Sequence, residues 1–97
     1  MRTFEEIKII LQKHKDEIKQ KYKVKEIGIF GSFARGEHRR RSDVDILVDF
    51  EEMPGFVVLC EMEEHIQRLL RRKVDLVRKG ALRPELRDII LDEVVFL

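Results

Sequence analysis

The chain has 97 residues, of which 43% are hydrophobic and 40% charged, with a formal net charge of +1. That length fits one domain with one core. The charge balance argues against a general polyanion binder, and no apolar run approaches the ~20 residues of a membrane span.

Met1-Arg2-Thr3-Phe4 leads directly into a helix without the apolar run of a signal peptide, so the expected location is cytoplasmic. Thr3 and Glu6 make a capping box, and Phe4, Ile7, Leu11, Ile18 and Tyr22 then recur at helical spacing. The spacing predicts an amphipathic helix over 4–22. Its lysine face (Lys8, Lys13, Lys15, Lys19) reads as solvated surface rather than a nucleic-acid stripe, so direct nucleic-acid binding is not expected. Residues 24–30 read as a strand with Ile27 and Ile29 on one face, ended by Gly31. Residues 32–36 read as the first turn of a short helix closed by Gly36, and residues 37–42 as a basic loop.

A second strand is expected over 43–50, and its short separation from the first is compatible with an antiparallel pair joined by a long excursion. Val44, Ile46, Val48 and Phe50 face one way along it, and Asp43, Asp45, Leu47 and Asp49 the other. Pro54-Gly55 is a turn. Phe56, Leu59, Cys60, Ile66, Leu69 and Leu70 give a second amphipathic helix to about Arg71, acidic at its start and basic at its end in keeping with the helix dipole. In that stretch Cys60 reads as a small core residue, and as the lone cysteine it excludes an intrachain disulfide. A third strand over 73–77 places Val74 and Leu76 inward and Asp75 outward. Pro84 opens a last helix to about residue 92, and Val94, Val95 and Phe96 finish as a short strand or a docked tail.

Charge is unevenly distributed. Residues 1–42 carry 12 Lys+Arg against 6 Asp+Glu, whereas residues 43–97 carry 8 against 13. A basic entry beside an acidic metal side fits this asymmetry, and ordinary solvated helix faces fit it equally well. The chain has no asparagine and only three glutamines beside abundant Lys, Arg and Glu, a composition that leans toward a thermophilic source.

Two short motifs carry chemistry. Asp43 and Asp45 at i and i+2 on a strand share a face, about 6.5–7 Å apart. Carboxylates so placed can share magnesium, which takes one or two of them with waters and substrate phosphates. Two such ions stabilise the attacking and leaving oxygens of an in-line phosphoryl or nucleotidyl transfer. Gly31 lets the backbone approach a phosphate closely, and Ser32 adds a hydroxyl where a helix begins. Each motif alone is common. Their order (strand, Gly-Ser, short helix, loop, Asp-x-Asp, strand) is far more specific. His14, His38 and His65 show no metal-ligand spacing and default to surface positions. No nucleophilic triad or Walker lysine is present.

Gly31-Ser32, ten intervening residues, then Asp43-Val44-Asp45 resembles the signature of the DNA polymerase β-like nucleotidyltransferase superfamily. The fuller string GSFARGEHRRRSDVDILVDF resembles the minimal nucleotidyltransferases, small antitoxin partners of HEPN-domain toxins. The resemblance covers essentially the whole chain and implies a single minimal nucleotidyltransferase domain over 1–97. The fold expected is α+β, a small mixed sheet with helices mainly on one face and the carboxylates on the other. The resemblance also implies that Asp43 and Asp45 bind two Mg2+ ions. Asp75, in Arg72-Lys73-Val74-Asp75-Leu76-Val77, is then the third carboxylate, binding metal and activating the attacking hydroxyl. Gly31 and Ser32 hold the triphosphate, with Arg35 as a further phosphate contact, its forked guanidinium suited to the task. Arg39-Arg40-Arg41 reads as solvated or partner-facing, and Asp49 as structural. The implied reaction transfers AMP from ATP to a tyrosine hydroxyl of a HEPN ribonuclease toxin. Two other readings stay open: an antitoxin that acts by stoichiometric binding, and transfer to a small molecule such as an aminoglycoside.

Overall fold

The computed structural model describes residues 3–97, so the reading of Met1 and Arg2 lies outside the described residues. The first helix, α1 (Phe4–Tyr22), starts where Thr3 Oγ1 accepts the Glu6 amide at 3.2 Å. It stops at Lys23, whose left-handed backbone (φ 56°) turns its amide back onto the Lys19 carbonyl. Strand β1 (Val24–Phe30) runs into the short helix α2 (Gly31–Arg35), and the loop that follows leads to β2 (Val44–Phe50). Helix α3 (Phe56–Leu70) then crosses over to β3 (Val74–Arg78). A single 3-10 turn (Lys79–Ala81) precedes α4 (Pro84–Glu93) and β4 (Val95–Phe96).

The strands form one mixed sheet in the order β3-β2-β1-β4. β2 is antiparallel to β1 and parallel to β3, and β4 pairs antiparallel with the other edge of β1. The β2–β3 pairing is parallel because α3 carries the chain back across the sheet. The chain end thus forms a strand, two residues long, rather than a loosely docked tail. It fits because Gly28 has no side chain. A methyl there would lie 2.7 Å from Val94 Cγ2 and 3.0 Å from the Val95 carbonyl oxygen.

The core lies on one face of the sheet. Ile27, Ile29, Val44, Ile46, Val48 and Val74 meet Ile7, Leu11 and Ile18 of α1 and Met62, Ile66 and Leu70 of α3. Fully burying each such side chain is worth roughly 1.5–3 kcal/mol. A bulge between Val24 and Glu26 adds a residue to β1, so Val24 joins Ile27 and Ile29 in the core while Lys25 stays exposed.

The expected inner face of α3 needs correction. Phe56 is 79% exposed and Cys60 is exposed, so Cys60 is not a core residue. The buried side chains recur at Met62, Ile66 and Leu70, a strict i, i+4 stripe. Cys60 lies two residues from Met62, about 200° around the helix, and therefore points away from the sheet.

Candidate active site

At the end of β1 the chain turns through Gly31 at φ +73°, a conformation L side chains rarely adopt. Its missing Cβ has a second consequence, since a methyl there would fall on the Asp45 carboxylate. The Gly-Ser turn and the Asp-x-Asp strand are therefore in direct contact. The ladder explains why: Phe30, the residue before Gly31, is the cross-strand partner of Asp45.

On its other side β2 pairs in parallel with β3, and Asp45 lies in register with Asp75. Adjacent strands are about 4.8 Å apart. The two carboxylates thus share the face opposite the core, with Asp43 on the same side just before β2 begins. Asp75 is exposed, while Asp43, Asp45 and Ser32 are half-buried.

The electrostatics follow from this crowding. Asp45 has its pKa raised to about 6, first by burial and then by the charges of Asp75 and Asp43, with a smaller contribution from Glu93. Arg35 opposes the shift. A divalent cation would relieve this repulsion, and carboxylates that repel one another fit such an ion. Among the described residues no three His, Cys, Asp or Glu side chains are gathered into a ready-made cage. An open set fits magnesium, which keeps waters and takes substrate phosphates as its other ligands.

Two features lie beyond what the sequence shows. Glu93, the last residue of α4, reaches back to α2. Its carboxylate accepts the Gly31 amide at 2.6 Å and Arg35 Nη1 at 3.0 and 3.2 Å. Arg35 also donates from Nε to Glu37 at 2.9 Å. One signal for Glu93 is available in the sequence: an acidic side chain closing a helix opposes its dipole.

The second is Arg72. Its guanidinium donates to the carbonyls of Ser42, Arg39 and Arg40 at 2.7–2.8 Å and lies 5.0 Å from the centre of the Phe33 ring. His38 is stacked on the same Phe33 at 4.1 Å. Arg72 thus ties the basic loop, which ends at Asp43, to the approach of β3, which carries Asp75. The exposed Arg39 and Arg40 contribute backbone carbonyls to this tie. His38 and His65 are not ordinary surface residues. His38 buries an unpartnered Nδ1, and Tyr22 Oη lies 2.9 Å from His65 Nδ1. Burial, with the Lys21 charge, pushes the His65 pKa down.

Asp49 pairs across from Glu26 near the far end of β2 and takes no part in the cluster. At that end a groove of about 270 Å³ is lined by Tyr22, Met53, Pro54, Val58 and their charged neighbours. The carboxylates lie at the opposite end of β2, with Asp75 exposed and Asp43 and Asp45 half-buried.

Comparison with known proteins gives concordant results. The family described as nucleotidyltransferase domain matches residues 11–97. A Thermococcus cleftensis protein named protein adenylyltransferase MntA is 48% identical over 97 residues, spanning all of this chain and 98% of that protein. A solved structure provisionally named a minimal nucleotidyltransferase superposes with a TM-score of 0.78 at 30% identity, covering 94% of this chain and 95% of that one. The fold also matches a chain in a complex of tri-AMPylated Shewanella oneidensis HEPN toxin with MNT antitoxin, with a TM-score of 0.68 at 18% identity. That match covers 93% of this chain and 70% of the other.

Proposed function

The chain belongs to the nucleotidyltransferase domain family, and from that premise we infer that it is a metal-dependent protein adenylyltransferase acting as an antitoxin. Residues 1–97 work as a single nucleotidyltransferase domain in this reading. The observation that carries it is the meeting of Gly31 with Asp45, and of Asp45 in register with Asp75. Phosphate-approaching backbone and paired carboxylates share one open face, where a triphosphate and an incoming hydroxyl can both reach.

Gly31 and Ser32 hold the triphosphate of ATP, and Arg35 offers a guanidinium beside it. Asp43, Asp45 and Asp75 hold magnesium, which when bound neutralises charge on the transferring phosphate. Asp75, the most exposed of the three, takes the proton from the acceptor hydroxyl. The hydroxyl oxygen bonds to the α-phosphorus as the bond to the β-phosphate oxygen breaks, giving AMP-protein and pyrophosphate. The acceptor is a tyrosine of a HEPN-family ribonuclease toxin. This partner is supported by the relative named an adenylyltransferase and by the shared fold of the HEPN–MNT complex. No helix among the described residues is long and apolar enough to cross a membrane, and the reading places the protein in the cytoplasm with its toxin.

The test is mass spectrometry of the toxin after incubation with ATP, Mg2+ and this protein. An AMP-sized adduct on a tyrosine is expected, and none with the Asp43→Ala/Asp45→Ala double variant. A second reading, neutralisation by binding alone, is favoured by the exposed apolar side chains Met53, Phe56 and Val57. Toxin inhibition that survives in the double variant without any adduct selects it.

A further inference from the structure

We propose that Glu93 is an internal stand-in for nucleotide phosphate and sets the affinity with which this protein takes up its triphosphate. The inference rests on the nucleotidyltransferase reading of the site and concerns a residue which that reading does not use.

Both oxygens of the Glu93 carboxylate are engaged. Oε2 accepts the Gly31 amide at 2.6 Å and Arg35 Nη1 at 3.0 Å, and Oε1 accepts the same Nη1 at 3.2 Å. A backbone amide at the Gly-Ser turn and a guanidinium edge are the donors that a phosphate oxygen would use. The carboxylate fills that place with the same charge sign and a similar spread of acceptors. Its side chain is only 18% exposed, so it is seated among these donors rather than extended into water.

Three features make this contact exchangeable rather than a fixed structural tie. First, α4 carries Glu93 at its C-terminal end, where the helix dipole disfavours an anion. Second, the Gly31 turn that the carboxylate caps also abuts the Asp45 carboxylate, so Glu93 adds a further negative charge beside the aspartates. Third, α4 buries no residue and Glu93 is its last one, so swinging the Glu93 side chain off its donors disrupts no core packing and leaves the β4 pairing in place. Arg35 is prepared for the exchange. Its Nε stays on Glu37 at 2.9 Å, which keeps the guanidinium aimed while Nη1 changes partner. An incoming phosphate would leave no donor unpaired and would move a fourth carboxylate away from the metal-binding set.

The test is calorimetric titration of ATP with Mg2+, and separately of inorganic tripolyphosphate and of adenosine, into the full chain and its Glu93→Gln and Glu93→Ala variants. Each variant is checked by thermal melting. Glu93→Gln keeps the shape and one acceptor, so it reports even where Glu93→Ala fails to fold. ATP and tripolyphosphate are expected to bind the variants roughly ten- to a hundredfold more tightly, the scale of one charge-assisted hydrogen bond removed from the competing state. Adenosine binding is expected to be unchanged. In the wild-type chain, amide exchange in the last turn of α4 is expected to quicken when ATP binds. Equal or weaker triphosphate binding by Glu93→Gln overturns the proposal and makes Glu93 a buttress of the turn. A wild-type chain that binds no triphosphate defeats the nucleotidyltransferase reading itself, a distinct result in the same experiment.

Discussion

Along β2, Val44, Ile46 and Val48 are completely covered by the helices, whereas Asp43 and Asp45, one residue out of phase, turn to the opposite, half-exposed face beside Asp75. The covered face derives its stability from apolar contact and tolerates no loss of volume. The open face holds like charges together at a cost in stability, and that arrangement is what a cation and a triphosphate would use. One strand thus carries full apolar packing on one face and electrostatic strain on the other, and substitutions on its two faces should act with opposite signs.

The largest expected effect breaks the covered face. Ile46→Ala removes a fully buried side chain in the centre of the sheet and should cost about 3–4 kcal/mol in urea unfolding. A loss under ~1 kcal/mol would mean that the core repacks around β2. Next, Gly31→Ala strikes where the faces of two strands meet. The left-handed turn costs about 1–2 kcal/mol with a side chain, and the new methyl must displace the Asp45 carboxylate. Transfer activity should fall by roughly 100-fold or more, the scale of an ångström-sized misplacement, as measured by the rate of AMP adduct formation.

Arg72→Ala should cost about 1.5–3 kcal/mol, since three loop carbonyls lose a charged donor. Arg72→Lys should recover less than half of it, because an ammonium cannot fork across them. Equal stability of the Lys and wild-type chains would show that charge alone holds the loop.

The smallest effect sharpens the comparison most, because its sign is reversed. Asp45 has a folded-state pKa of about 6, above the ~4 of an unfolded aspartate. The native state therefore binds the proton more readily, and stability should decline as pH rises from about 4 to 6. Asp45→Asn should remove that slope. At pH 7 it should stabilise the chain by about 1–2 kcal/mol, once solvent screening of a half-exposed group is allowed for, while abolishing transfer. Denaturant midpoints at pH 4.5 and 7, compared between the two chains, decide it. A variant less stable than wild type at pH 7 would mean that the carboxylate is not strained.

Much of the fold and of the candidate site is legible in the sequence. Strand β1, the Gly31 turn, α2 and β2 are contiguous, so their geometry depends on local spacing: a period of two in the strands, and a glycine where only a glycine fits. Asp75 is singled out by strand phase together with family resemblance, and the parallel register sets it beside Asp45. The inner face of α3 is not legible in the same way. Hydrophobicity marks Phe56 and Cys60 as inward, whereas the stripe over the sheet is Met62, Ile66 and Leu70. Glu93 and Arg72 cannot be recognised as site residues from spacing, because their partners lie 62 and 30 residues away in the chain.

The chemically capable groups are written into the chain itself: a glycine turn, two carboxylates on one strand face and a third on another, and an apolar stripe opposite them. These follow from backbone geometry and side-chain alternation, which act over a few residues. Which of those groups meet is settled in three dimensions, since strand order and helix crossing set the distances between them. Folding brings Asp45 into register with Asp75, places Arg72 over the loop before Asp43, and seats Glu93 on donors suited to phosphate.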